Sequence, residues 1–169
     1  MNFHFNLTGA SHALLADPQG MATIVFASGP VGERILDNGD VGYSRSSGWT
    51  TVTNTLAYGL DYDYHASGNG SGSASYTFSG LAPGSYEVYT KWIPFGNRAS
   101  NAPYTILDGS SVVGTEQVNQ QVAPAGDVSN GGTGQKLGSY NAGSGTLVVR
   151  LGNNANGYVG ADAVRLVAG

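Results

Sequence analysis

Between residues 73 and 79 the chain alternates strictly, with Ala74, Tyr76 and Phe78 falling on one side and Ser73, Ser75 and Thr77 on the other. A period of two is the mark of a strand with one buried and one wet face. The same short runs of β-type residues recur from Glu33 onward, separated by clusters of Gly, Pro, Asn and Ser at intervals of about ten residues. Strands are predicted at 34–37, 49–52, 59–65, 73–79, 85–93, 104–108, 111–118, 135–140, 146–151 and 158–167. No stretch carries a helical period. The pattern therefore predicts an all-β, antiparallel sandwich or barrel over residues 33–169. The GLAPG segment, Gly80 to Gly84, has the Pro and Gly of a tight turn, after which Tyr86 and Val88 alternate with Glu87 and Tyr89. It predicts that 73–79 and 85–93 form an antiparallel pair. The stretch 123–134, rich in Gly, Asn and Ser, reads as an exposed loop.

Residues 1–32 have a different pattern. They open on the alternating FHF and hold one apolar run, ATIVFAS, before Gly29 and Pro30. Two readings stay open: a linker or last strand of a preceding unit, or an exchanged strand. In the second, Ile24, Val25 and Phe26 would complete the sheet of a neighbouring copy.

Composition narrows the class. The 169 residues fit one domain, and 27 Gly with only 11 % charged residues describe a turn-rich fold with a neutral polar surface. Forty per cent apolar residues and 10 Tyr supply a core, so disorder is not expected. The net charge is −4 and the seven basic residues are scattered, which excludes a nucleic-acid stripe. No apolar run approaches the ~20 residues that would span a bilayer, so membrane insertion is not expected. The lack of Cys removes disulfides, thiolate metal sites and cysteine nucleophiles together.

Asp162 shares a strand face with Val164 and Leu166, and an inward carboxylate must be paired or ligated. Asp37, Asn38 and Asp40 stand in the turn-like DNGD. Their oxygens suit a hard cation such as calcium, and equally an Asx turn in which Asp37 and Asp162 accept backbone N–H bonds. A second cluster is aromatic and amide-rich: Trp92, Arg98, Asn101 and Tyr104 in WIPFGNRASNAPY, with Asn153, Asn154, Asn156 and Tyr158 in NNANGY. Aromatic faces cover the C–H patches of sugars, and amides or Arg bond their hydroxyls. Trp92, Arg98, Asn101, Asn153, Asn154 and Tyr158 are the candidate contacts. Trp92 also continues the alternation of Tyr86 and Val88, which fits a core position equally well. Trp49, Tyr58, Tyr62 and Tyr64 suit core or surface, with Tyr62 and Tyr64 on one face. Catalysis has little support: no Ser-His-acid set, zinc spacing or phosphate loop is legible, and the pair Asp61 and Asp63 has no visible cleft.

The blocks ILDNGDVGYS, SGWT, YGLDYDYHASG, SASYTFSGLAPGSYEVYTKW, NRASNAPYTILDG, VNQQ, KLGSY and NNANGYVGADAVRL follow one another in order. Together they resemble the golvesin C-terminal-like, or xanthan-lyase carbohydrate-binding-like, domain over about residues 34–167. The resemblance implies a jelly-roll β-sandwich, a non-catalytic accessory module of secreted bacterial proteins, and a polysaccharide as partner. It further implies a structural calcium between an early acid and an acid of the last strand, here Asp37 and Asp162. Residues 1–32 lie outside it. Two functions follow as expectations: an extracellular carbohydrate-binding or adhesion module at the bacterial surface, or the subunit of a surface filament that associates with itself through the N-terminal strand.

Overall fold

The computed structural model describes residues 12–16, 22–26, 32–128 and 132–169. Sixteen strands occur there: β1 (His12–Ala16), β2 (Ala22–Phe26), β3 (Glu33–Asp37), β4 (Tyr43–Arg45), β5 (Thr50–Thr53), β6 (Asp61–His65), β7 (Ser73–Ser79) and β8 (Ser85–Thr90). They continue as β9 (Ala102–Asp108), β10 (Ser111–Val118), β11 (Asp127–Val128), β12 (Gly132–Thr133), β13 (Gln135–Asn141), β14 (Thr146–Gly152), β15 (Val159–Ala161) and β16 (Ala163–Ala168). The strands pair antiparallel throughout. One sheet runs β10-β9-β14-β7-β4, the second β13-β8-β16-β3, and a small third sheet β15-β6-β5. The fold is a jelly-roll β-sandwich.

The alternating faces predict the core. Ala74, Tyr76 and Phe78 of β7, with Ile106, Leu147, Val149 and Leu151, form the inner face of the five-stranded sheet. Val88, Val164 and Leu166 do so for the four-stranded one. Each such aliphatic or aromatic side chain contributes on the order of 1.5–3 kcal/mol by leaving water. The predicted pairing of 73–79 with 85–93 is incorrect. β7 pairs with β14 and β4, whereas β8 pairs with β13 and β16. GLAPG therefore crosses from one sheet to the other. Pro and Gly report that the chain turns, and the destination is decided by burial. Leu81 in the crossing is buried and its N–H bonds Gly145 O, which ties the link over the mouth of the sandwich.

The run predicted as one strand over 158–167 is two strands, β15 and β16, which join different sheets and break at Asp162. β4, the β11–β12 hairpin inside the predicted loop 123–134, and β1 are additional elements. β2 carries Ile24, Val25 and Phe26 and pairs with β1 along its length, so one of its edges is satisfied within the same chain. The side chains of these three residues lie outside the described residues.

Candidate functional site

β6 reads DYDYH, and its alternation sends Tyr62 and Tyr64 one way and Asp63 the other. Asp63 is buried and anchors that opposite face. Its carboxylate meets Arg45 at 2.5 Å and accepts hydrogen bonds from Tyr43 Oη and Thr51 Oγ1, both at 2.7 Å. β5 and β15 flank β6, with Gly160 opposite Tyr64. The two tyrosines are thereby fixed beside Tyr158, the residue that precedes β15.

Opposite them runs the link from β8 to β9, residues 91–101. Its NRAS segment is zipped to NNANGY by main-chain and amide bonds. Ala99 N–H bonds Tyr158 O at 2.8 Å, and Tyr158 N–H bonds Asn97 O at 3.1 Å. Asn156 Oδ1 accepts from Ser100 N–H, while Asn101 Oδ1 accepts from Asn156 N–H. The two amide-rich motifs, 55 residues apart in the chain, are one paired structure.

Between these walls lies an open cleft of about 490 Å³, lined by Tyr62, Tyr64, Phe95, Gly96, Asn97, Arg98 and Tyr158. Phe95 and Tyr158 are 43 % and 39 % exposed and offer free ring surface. Tyr158 meets Tyr64 edge-on with centroids 5.9 Å apart, and Tyr64 lies 6.5 Å from Tyr62. The Arg98 guanidinium is surrounded by rings: its carbon lies 4.9 Å from the Phe95 centroid and 5.5 Å from those of Tyr62 and Tyr64. Nη2 donates to Tyr62 Oη at 2.8 Å.

Of the six predicted sugar contacts, Arg98 and Tyr158 line this cleft, and Asn101 braces it from behind. Trp92 requires correction. It is 1 % exposed and its indole N–H bonds Val122 O, so it belongs to the core and has no free face for a sugar. Asn153 is likewise buried, and its amide is consumed by the 66–72 loop. Oδ1 accepts from the N–H groups of Gly70 and Gly72, and Nδ2 faces His65 and Ala66 O. Asn154 is exposed but stands outside the lining. Phe95 and Asn97, not singled out by sequence, complete the cleft, and Tyr62 and Tyr64 resolve from an open choice into its wall. The shared face of the two tyrosines was the available signal. Replacing Asn153 by Ala should cost about 1–3 kcal/mol, since the buried Gly72 N–H loses its acceptor and the more exposed Gly70 N–H loses the same partner. Melting temperature and hydrogen exchange at Gly70 and Gly72 report it, with the cleft retained.

A second polar cluster lies where β3 ends. Ala163 faces Asp37 across the β16–β3 ladder, which brings Asp162 beside the DNGD turn. Asp40 Oδ2 accepts from Asp37 N–H at 2.9 Å, and Asn38 N–H bonds Asp37 Oδ1 at 2.9 Å. Asn38 Nδ2 donates to Asp61 Oδ1 at 2.7 Å, and Asp162 Oδ1 accepts Tyr58 N–H at 3.0 Å. Asn38 Oδ1 and Asp162 Oδ2 are buried with no partner. Burial above all, then the charge of Asp37 and more weakly Asp61 working against Lys91, pushes Asp162 up to about 8. Asp37 is pushed up to about 6, mainly by burial, with Asp40 and Asp61 adding to it. Among the described residues no three acidic or histidine side chains form a ready-made metal cluster. Calcium also takes amide oxygens, however, and the unpartnered oxygens of Asn38 and Asp162, with the Asp37 carboxylate near Asp162, are of the chemistry a hard cation takes.

The family model described as the Golvesin C-terminal domain matches residues 34–168. Among solved structures the chain is similar to a Paenibacillus xanthan lyase, with 33 % identity and a TM-score of 0.70. That match covers 88 % of this chain but only 14 % of the lyase. It is similar in fold to the CBM35 of Cellvibrio japonicus Abf62 (17 % identity, TM-score 0.60, 81 % of this chain and 94 % of that one). A Xyl-CBM35 solved in complex with a glucuronic acid containing disaccharide also shares the fold (18 % identity, TM-score 0.59, 80 % and 93 %). No curated protein matches the sequence.

Proposed function

Because the chain belongs to the Golvesin C-terminal domain family, we propose that it is a non-catalytic, extracellular carbohydrate-binding module whose polysaccharide lies in the cleft of Tyr62, Tyr64, Arg98 and Tyr158. The observation that carries this reading is the cleft itself. It combines exposed ring faces with a guanidinium and an amide in a volume of about 490 Å³, the size and chemistry that a sugar ring requires. The fold shared with two CBM35 modules, and the greater identity to a stretch of xanthan lyase, support it. Glycoside hydrolysis by a facing pair of acids has no support at the cleft, because none of the described residues that line it is acidic.

At the other polar cluster, Asp37, Asn38 and Asp162 would hold a structural calcium ion through their carboxylate and amide oxygens. Its charge there would balance oxygens that otherwise have no partner.

Affinity electrophoresis in gels cast with acidic and neutral polysaccharides tests the reading. The wild type should be retarded in at least one gel. Tyr158→Ala should lose about tenfold or more in affinity, as expected when a stacking ring worth over ~1.4 kcal/mol is removed. Uniform migration across the whole panel would remove the sugar reading.

A further inference from the structure

Arg98 is the cation of the cleft, and it is 5 % exposed. A guanidinium stays charged at any ordinary pH, and burying it is costly unless an anion meets it. Three other cations of the described residues have carboxylate partners: Arg45 with Asp63, Lys136 with Glu87, and Arg165 with Glu33. Arg98 has none among the described residues. Its partners are the neutral Tyr62 hydroxyl, a long 3.5 Å contact from Nη1 to Asn97 Oδ1, and ring faces. Nε is buried without a hydrogen-bond partner. Cation–π contact offsets on the order of 0.5–2 kcal/mol of desolvation, less than a bidentate carboxylate provides.

The surroundings point the same way. In a chain where 11 acids outnumber seven bases, no acid is found among the described residues that line the cleft. Its formal charge is opposite to that of the molecule. Beside Arg98, Gly96 has no side chain and nothing lies within 4 Å of where one would begin, so the approach is open.

We infer that the cleft selects an acidic sugar, a uronate residue whose ring lies on the exposed aromatic surface of Tyr158 and Phe95 and whose carboxylate meets the Arg98 guanidinium. The weak Asn97 contact at Nη1 is the bond that the ligand oxygen replaces, and the rings that hold the guanidinium also exclude water from the pair. This rests on the reading of the cleft as a glycan site and adds the charge of the sugar to it.

Arg98 also bonds Tyr62, so its removal risks the fold, and the decisive change is made on the ligand. Uronate oligosaccharides and the same oligosaccharides after reduction of their carboxyl groups are titrated calorimetrically against the wild-type chain. The acidic form should bind about tenfold or more tightly, and its affinity should fall as sodium chloride rises from 20 to 500 mM while that of the reduced form holds (on the order of Debye screening). Arg98→Lys, which keeps the charge but loses the planar fork, should weaken binding of the acid by a larger factor than binding of the reduced form. Equal binding of the two forms overturns the acidic selection and leaves the glycan site standing. Binding of neither, in a panel where neutral polysaccharides also fail, overturns both.

Discussion

In the presence of a chelator the protein should melt at progressively lower temperature as pH rises from about 4 to about 8, and calcium should restore the loss. The cause is Asp162, 0 % exposed, with one carboxylate oxygen accepting Tyr58 N–H and the other without a partner. Its folded value near 8 and that of Asp37 near 6 both lie above the ordinary carboxylate value of 3.8. Where the folded state holds protons that the unfolded chain has released, stability falls with rising pH. The contribution is therefore complete below about pH 4 and disappears as pH passes 6 and then 8. For Asp162 the effect is on the order of a few kcal/mol once water entry and relaxation are allowed for. It is smaller for the half-buried Asp37. A calcium ion held at this cluster would need the ionised pair, so its stabilising effect should grow over the same interval. Asp162→Asn carries no charge to bury: it should flatten the pH profile in chelator and abolish the response to calcium. A wild-type melting temperature that ignores both pH and calcium between 5 and 8 would remove the cation reading of this cluster.

Gly157→Ala should open the aromatic cleft while leaving the sandwich folded. A Cβ at this position would stand 2.8 Å from the carbonyl carbon and oxygen of Arg98 and 2.9 Å from Ala99 N. All three are backbone atoms, which cannot swing aside as a flexible side chain would. The two segments that they join, 97–101 and 153–158, must separate. Their separation breaks the Ala99–Tyr158 and Tyr158–Asn97 main-chain bonds and moves Tyr158 away from Tyr64. Overpacking of this kind costs about 1–3 kcal/mol. Polysaccharide affinity should fall by about tenfold or more, because ring position decides stacking. Core strands β7, β9 and β14 supply none of the three atoms nearest that Cβ and should keep wild-type hydrogen-exchange protection. A variant that binds as tightly as the wild type would show that the zipper does not position the cleft.

How much of this was legible in the chain differs from element to element. β7 and β10 occupy the predicted residues because strict alternation or a flanking Gly-rich turn marked both of their ends. β4 is three residues, YSR, too short for any period to register. The break at Asp162 escaped notice because YVGADAVRL alternates smoothly across it. Only the demand that its halves pair with β6 and with β8 splits the run. At the site, Arg98 and Tyr158 were found by their chemistry. Trp92 was misplaced by the same chemistry, since an indole suits a sugar and a core equally and its neighbours decide.

The chain by itself determined the all-β class, the inward and outward faces of its strands, the buried carboxylate at 162 and the family-like order of its blocks. These are local properties: alternation, turn residues and polarity act within a few positions of each other. Tertiary structure decided which strands share a sheet, that GLAPG crosses between sheets, and that NRAS meets NNANGY across more than fifty residues. It also decided that Arg98 is buried among rings with no acid of the described residues paired to it. Such facts depend on which distant surfaces exclude water together, and no window of neighbouring residues contains that information.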